Sequence, residues 1–443
     1  MTFKSRFAPS PTGLIHIGNA RSAVLNWMHI KNKGGEFILR IDDTDTERSK
    51  LKYEEAIKND LNWLGITWSK TFNQSDRKNI YQEKVKELKQ KKRIYPCFET
   101  PEELSLKRKS LLTAGKPPIY DRSALQLTDK QIQKKIDQGK QPHWRFKLEY
   151  KIIEWDDLIK GKVSFDSKNL SDPILIREDN SLLYHLPSVV DDIEEKITDV
   201  IRGEDHITNT AFHIQIFESL NAEIPFFGHH PYLIDQEGKG FSKRLGSLTI
   251  QQLKDRGFEN ITLLNYLLSI GTSKNLSNEK NIKNLINDFD IKNLAKSSPK
   301  FSQDVLVILN KEILQTLEFS EVKQKFADMN LMNITEDFWV FVKNNINYFS
   351  EVMNWWNIIH SKEVYSSNEV SYLKVAAQLL PEEPFDISTW NKWISEIKIK
   401  TGRTGKELYM PLRIALTGQT KGPELMYLMP LLKRKHVLKK LGE

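Results

Sequence analysis

The segment "RFAPSPTGLIHIGNAR", Arg6 to Arg21, sets two prolines, two glycines and a histidine between a short apolar run and a helix-like run. Pro9 and Pro11 pin the backbone φ, and Gly13 permits a turn that other residues resist. His16 and Gly18 fall where a helix begins. Helix N-termini present unpaired N–H groups and the positive end of the macrodipole, so phosphates favour them. His16 would add an N–H donor there, and Gly18 would let a flat ring approach the backbone. The segment has neither the GK[ST] of a Walker A loop nor the G-x-G-x-x-G spacing. A purely structural turn therefore stays open beside the phosphate cradle.

Two further groups of residues could do chemistry. In "GKGFSKRLGS" (238–247), Lys239, Lys243 and Arg244 flank Ser242 among three glycines. Cationic loops of this kind close over phosphates and stabilise charge that grows during transfer, although an ordinary exposed loop has the same composition. The other group comprises polar residues beside apolar strands: Arg6, Asp42, Tyr184, Arg202 and Asp205. Arg202 closes the apolar run "DVI", and the C-terminal ends of strands are where open α/β sheets bind ligands. Arginine also pairs bidentately with carboxylates. The competing expectation is an internal salt-bridge network in which Arg6 and Arg40 meet Asp42, Asp43 or Asp191.

The elements that must position these residues alternate at first. "KSRFAPS" predicts a strand, "NARSAVLNWMHIKNKG" a helix stopped by Gly34–Gly35, "EFILRID" a strand, and "DTDTERSKLKYEEAIKNDLNWLG" a helix ending at Gly65. Strand and helix in turn with short links predict a parallel α/β sheet. From about 70 to 185 the chain is Lys-rich with short alternating runs, which predicts an inserted α+β module. The α/β pattern resumes around "ITDVIRGED", with a helix from about Thr208. Beyond 247 the chain turns helical, and Trp339, Trp355, Trp356, Trp390 and Trp393 are expected in its core.

The bulk numbers narrow the class. The chain has 443 residues and a net charge of +8. From Thr401 onward nine Lys or Arg face three acids, a net of +6, whereas residues 321–400 carry −3. A basic end beside a near-neutral body suits a polyanion such as nucleic acid, or else is a solvated helix face. Cys97 is the sole cysteine, which excludes an intrachain disulfide and a Cys-rich zinc site. No signal peptide or apolar run of membrane-spanning length is evident, so a soluble, cytoplasmic protein is expected. His229–His230 and His206/His213 lack metal-ligand spacing and read as core or surface. "DTDTE" lacks the glycine of an EF-hand loop and reads as a charged helix start.

"PSPTG…HIGN" at the start and "FSKR" about 220 residues later resemble the HIGH and KMSKS signatures of class I aminoacyl-tRNA synthetases. Together with "RIDDTD", "YHLPSVVDD", "TDVIRGEDH" and "PLRIALTG", they resemble the bacterial-type glutamyl-tRNA synthetases from Arg6 to beyond Arg413. That resemblance implies an α/β Rossmann-like catalytic domain (1–70 and 186–240) split by an α+β acceptor-stem-binding insert (71–185). A stem-contact region with the KMSKS loop (241–320) and an all-α anticodon-binding domain (321–443) would follow. It implies two steps: glutamate and ATP give glutamyl-adenylate and pyrophosphate, and the 2′-hydroxyl of the terminal adenosine of tRNA(Glu) then takes the glutamyl group. No covalent nucleophile is required, and Mg²⁺ would arrive on ATP.

The resemblance also implies roles. His16 and Lys243 would stabilise the transition state. His16, Gly18, Asn19, Asp205, Leu233, Ser242, Lys243 and Arg244 would line the ATP site. Arg6, Phe7, Ala8, Ser10, Asp42, Tyr184 and Arg202 would line the glutamate pocket. Two arginines and a tyrosine hydroxyl would hold the side-chain carboxylate, with Asp42 on the ammonium. The sequence departs from the family pattern at Asn19, where HIGH ends in His, and at Gly240, the first Lys of KMSKS. Some members bind zinc in the insert through Cys-x-Cys and a later Cys and His. Here "YPCFETPEEL" has one cysteine, so no zinc is expected and Cys97 reads as structural. A monomer is the family default. Charging of tRNA(Gln) as well as tRNA(Glu), and an inactive RNA-binding paralogue, are the alternatives.

Overall fold

The computed structural model describes residues 2–239, 248–273, 276–331, 333–360, 365 and 369–443. It divides into two compact units: Met1–Gln252 with Leu264–Ser302, and Leu253–Leu263 with Gln303–Glu443.

The first unit is built on a five-stranded parallel sheet. Its early elements are β1 (Lys4–Phe7), α1 (Ile17–Asn32), β2 (Glu36–Ile41), α2 (Leu51–Trp63), β3 (Lys70–Asn73) and α3 (Lys78–Gln90). The chain then leaves the sheet for β4 (Ile94–Cys97), α4 (Pro101–Thr113), α5 (Asp129–Asp137), β5 (His143–Phe146), the hairpin β6 (Ile152–Asp157) and β7 (Gly161–Asp166), and β8 (Ile174–Ile176). It returns through α6 (His185–Glu194), β9 (Asp199–Gly203), α7 (Ile207–Ser219) and β10 (Phe226–His230). The order is β10-β9-β1-β2-β3, while β4-β5-β8 form a separate antiparallel sheet. The parallel sheet thus runs a few residues past 70, and the next strand belongs to the other sheet.

The strands are nearly continuous apolar runs, as two-sided burial demands. Ile38, Val200 and Phe227 join Leu88, Leu186, Val190 and Phe217 in one core. On α1, Ala20, Val24 and Met28 are fully buried. β1 and β9 share a single registered pair, Ser5 with Asp199, and α1 reinforces that weak seam. The Asn26 side chain accepts the Ser5 hydroxyl (2.7 Å) and donates to the Ile201 carbonyl (2.7 Å). His29 and Lys33 reach Asp199 at 2.9 and 2.7 Å. Burial pushes the Asp199 carboxyl up, but the hydrogen bonds from His29, Lys33 and Thr198 outweigh it and hold the pKa near 2.

Two local expectations differ. The helix expected from Asp43 begins only at Leu51. Residues 43–50 lack apolar periodicity, and their acids bond elsewhere than along a helix: Asp43 takes the amide and hydroxyl of the distant Ser75, and Asp45 takes Arg48 three residues on. The second unit is helical, with Trp339, Trp355, Trp390 and Trp393 buried and Trp356 packed on the same core. In the basic end, Lys440 is 1% exposed and lies over the Tyr365 ring, while Arg403 and Arg434 pair with Glu369 and Glu382. The solvent-facing cations there are Lys406, Lys421, Lys433, Lys435 and Lys439, fewer than the sequence count suggests.

Candidate active site

A cavity of about 1130 Å³ opens at the C-terminal ends of the parallel strands, larger than the roughly 300–1,000 Å³ of an ordinary small-molecule site. It is lined by Arg6, Phe7, Ala8, Ser10, His16, Gly18, Asn19, Asp42, Tyr184, Arg202, Asp205 and Leu233. Twelve of the residues singled out from the sequence therefore share one space. Ser242, Lys243 and Arg244 lie outside the described residues.

His16 caps α1. Its backbone is extended, and its Nδ1 accepts the amide N–H groups of Gly18 (3.2 Å) and Asn19 (3.4 Å). Two amides expected to face a phosphate are thus taken by the histidine itself. The neutral ring keeps its proton on Nε2, the remaining donor it can turn to a ligand. Burial pulls its pKa below the usual histidine range, so it is neutral at pH 7. A Cβ on residue 18 would stand 3.1 Å from His16 Cε1 and Nδ1, so glycine is what lets the imidazole fold onto the helix start. Gly13 has no comparable need: its φ is not positive and a Cβ there would meet nothing within 4 Å. The prolines, not Gly13, shape that turn.

The arginines at the strand ends differ in what holds them. Arg6 donates through Nε (3.0 Å) and Nη2 (3.3 Å) to Asp192. Arg40 donates to Asp42 (2.7 and 3.2 Å), to Asp192 (2.9 Å) and to the Ser188 hydroxyl (3.2 Å). The expected salt-bridge network exists: Arg40 pairs with Asp42 and, at 3.8 Å, with Asp191, while the hub that joins both Arg6 and Arg40 is Asp192 on α6, one residue beyond Asp191. Asp191 itself takes Gln74 (2.8 Å) and Tyr81 (2.9 Å), and burial raises its pKa to about 6. Asp43 points instead to β3, where it accepts Asn73. Burial pushes the Asp42 carboxyl up against the pull of Arg40.

Arg202, 8% exposed, has no carboxylate partner among the described residues. Its Nη2 donates to the Thr210 hydroxyl (2.6 Å), its Nη1 to His213 Nδ1 (3.4 Å) and its Nε to His229 Nε2 (3.4 Å). A guanidinium has five N–H bonds. Three are used, which leaves one on each terminal nitrogen, the fork that grips a carboxylate. Of the two arginines expected to hold a carboxylate, Arg202 alone has its charge uncompensated. Tyr184 donates to His206 Nδ1 (3.0 Å), and Asn209 donates to the Tyr184 oxygen (3.1 Å). Burial and the Arg202 charge push the pKa values of His185 and His206 down to about 4 and that of His213 well below the usual range. These histidines, of which His206 and His213 read from the sequence as core or surface, are the neutral wall around Arg202.

The sequence offers no role in the site for Asp192, Thr210, His213 and His229. One signal was present: "SVVDD" sets two adjacent acids directly after the apolar pair Val189–Val190 within α6, and both are buried, Asp191 at 0% and Asp192 at 3% exposure. Charged residues almost never take such positions unpaired.

In the three-stranded sheet, the ligand atoms of Cys97, Glu99 and His143 lie within 4.8 Å of one another. Glu99 Oε2 and His143 Nε2 are buried without hydrogen-bond partners. Counting cysteines overlooked this mixed donor set. Its three donors nevertheless fall short of the four of a closed structural zinc site. The Tyr120 hydroxyl already donates to Glu99 (2.8 Å), and the Arg145 guanidinium lies 4.1 Å from the Tyr120 ring centre, adding a cation where a metal would need none. Burial raises the Cys97 thiol to about 12, so it is protonated.

Known proteins resemble the chain over its whole length. Residues 2–308 match the family of class I tRNA synthetases (E and Q), catalytic domain, and residues 309–443 match an anticodon-binding domain. A glutamate–tRNA ligase of Azospirillum brasilense is 47% identical over 98% of both chains. Glutamate–tRNA ligase 1 of Rickettsia bellii is 46% identical over 99% of both. The crystal structure of a glutamate tRNA ligase from Elizabethkingia meningosepticum, in complex with its amino acid, is 25% identical and superposes with a TM-score of 0.84, covering 100% of this chain and 98% of that one. With a parallel sheet carrying the site and a helical region following it in the sequence, the chain belongs to the class I tRNA synthetases of the glutamate and glutamine group.

Proposed function

We propose that this chain is a glutamate–tRNA ligase, joining L-glutamate to the 3′-terminal adenosine of tRNA(Glu) at the expense of ATP, as a cytoplasmic monomer. The observation that carries the choice of amino acid is the buried Arg202 fork, with two free N–H bonds and no carboxylate partner among the described residues. Glutamate would close that fork. Glutamine would leave the charge uncompensated, and sites built on buried polar pairing reject such analogues by about 10⁴ or more.

In this reading Asp42 and the free side of Arg6 orient the amino acid's ammonium and α-carboxylate. His16 Nε2–H and Lys243 stabilise charge on the α-phosphate as the glutamate α-carboxylate displaces pyrophosphate. Gly18, Asn19, Asp205, Leu233, Ser242 and Arg244 hold the nucleotide, which brings Mg²⁺ with it as substrate. The tRNA 2′-hydroxyl then attacks the acyl carbon, and AMP leaves. The cavity is large enough for the amino acid and the nucleotide together. Positioning and fixed dipoles supply the rate, with no covalent enzyme intermediate. The exposed cations beyond 401 suit the tRNA backbone. No resident zinc enters this scheme.

The test is charging of purified tRNA(Glu) and tRNA(Gln) side by side, with ATP–pyrophosphate exchange in their presence. Glutamate-dependent exchange and glutamylated tRNA(Glu) are expected. Equal charging of tRNA(Gln) would make the enzyme non-discriminating, and no exchange with either tRNA would overturn the reading.

A further inference from the structure

Arg202 is oriented by groups that take no part in the scheme above, and one of them comes from the inserted segment. Asp157 ends β6 and is 5% exposed. Its Oδ1 accepts three amides, those of Ile159 (3.0 Å), Lys160 (2.9 Å) and His229 (3.0 Å). Its Oδ2 accepts His229 Nδ1 at 2.5 Å and Trp155 Nε1 at 3.3 Å. A carboxylate met by five donors is held ionised and fixed. Burial alone would raise its pKa, yet those hydrogen bonds bring it to about 2.

That arrangement dictates the tautomer of His229. Asp157 can only accept, so Nδ1 carries the ring proton, and Nε2 presents a lone pair. His229 is fully buried and its pKa is lowered, mainly by burial, so the ring stays neutral. Its Nε2 accepts from Arg202 Nε (3.4 Å) and from the Thr210 hydroxyl (2.9 Å), and the Thr210 oxygen accepts from Arg202 Nη2 (2.6 Å). On the other flank, Arg202 Nη1 donates to His213 Nδ1, whose Nε2–H then faces His185 Nδ1 at 3.2 Å. Every acceptor around the guanidinium is neutral. The only nearby acid in this chain of contacts, Asp157, is one imidazole removed. The opposite His229 tautomer would aim an N–H at a guanidinium that has no acceptor capacity.

We propose that Asp157, His229 and Thr210 form a positioning relay that points the two free N–H bonds of Arg202 into the cavity while leaving its charge unpaired, and so sets the preference for glutamate over glutamine. The inference rests on the reading of Arg202 as the side-chain anchor. It adds that the anchor's orientation is fixed from the insert, because Asp157 belongs to the hairpin that docks on β10 through the Leu158 amide and the Phe227 carbonyl (2.8 Å).

The experiment measures ATP–pyrophosphate exchange by the full-length protein with tRNA(Glu), for wild type, Asp157→Asn, Thr210→Val, Thr210→Ser and Arg202→Gln. Asp157→Asn frees His229 to take the wrong tautomer, as in catalytic triads. Thr210→Val removes the hydroxyl at nearly constant shape and guards against misfolding of the first variant. Both should raise the KM for glutamate about tenfold or more, while the KM for ATP and kcat at saturating glutamate change less than about threefold, the signature of lost ground-state binding. Glutamine should compete better in both. Thr210→Ser, which restores the hydroxyl, should return the glutamate KM to within about threefold of wild type.

Folded Asp157→Asn and Thr210→Val proteins with an unchanged glutamate KM would overturn the relay. So would an equal rise in the KM for ATP, which would mark a merely structural role. Wild type without glutamate-dependent exchange, or Arg202→Gln without effect, would instead overturn the reading beneath it, and the relay with it.

Discussion

Arg202→Gln is the sharpest single perturbation of this site. Three of the five N–H bonds of Arg202 are used on Thr210, His213 and His229, so two remain for a ligand. A hydrogen bond to a charged group contributes about 1.5–3 kcal/mol net, so the fork is worth about 3–6 kcal/mol. At about 1.4 kcal/mol per decade, the variant should lose a factor of about 10²–10⁴ in kcat/KM for glutamate. Glutamine, which never completes the charge pairing, should lose far less, so the ratio of the two specificity constants collapses. The substitution keeps a planar donor among neutral acceptors, so the fold should survive, as thermal unfolding of the variant would verify. ATP–pyrophosphate exchange with tRNA present reads both constants. A loss below tenfold for glutamate, or an equal loss for glutamine, would refute the claim that an uncompensated guanidinium selects the amino acid.

Three other outcomes follow from the packing. Asp192→Asn leaves the Arg6 and Arg40 guanidinia sharing an amide in a buried setting, which should cost about 3–5 kcal/mol; a drop in urea midpoint corresponding to under about 1 kcal/mol would count against Asp192 as the hub. Below pH 6.5 the unfolded chain takes up protons that His185 and His206, at about 4 in the fold, refuse; stability should therefore fall as pH drops from about 6.5 to 4, and a thermal midpoint flat over that window would contradict their neutral burial. Trp339→Ala removes a ring that is 1% exposed between Phe326 and Phe349 and breaks its bond to the Leu317 carbonyl; it should destabilise the helical unit by about 3–5 kcal/mol, measured by chemical unfolding.

The parallel strands were legible because two-sided burial makes them short, continuous apolar runs, and Arg202 was legible because it ends one of them. Partners were not. The step from Asp191 to Asp192 turns a helical side chain by about 100°, and no pattern in α6 fixes which acid faces Arg6. The start of α2 differs from the expectation because Asp43 is held by Ser75 and Asn73, about thirty residues on, a partner that a local reading cannot see. His213 and His229 were dismissed for want of metal spacing, although their work is to accept from a guanidinium, a task with no spacing rule. At Gly18 the sequence suggests room for a ligand's flat ring, and the ring found against it is the chain's own His16.

The single registered pair between β1 and β9 has a consequence for how the molecule is made. β1 and β2 can pair as soon as they emerge from the ribosome, but the other edge of β1 waits for a strand that begins about 160 residues after β2 ends. At roughly 5–20 residues per second, that edge stays open for about ten to thirty seconds of synthesis. α1, already carrying Asn26, His29 and Lys33 toward the missing strand, is then a half-built dock. A nascent chain stalled inside the insert would expose an unpaired apolar edge, making the insert the stretch where slow translation most endangers folding.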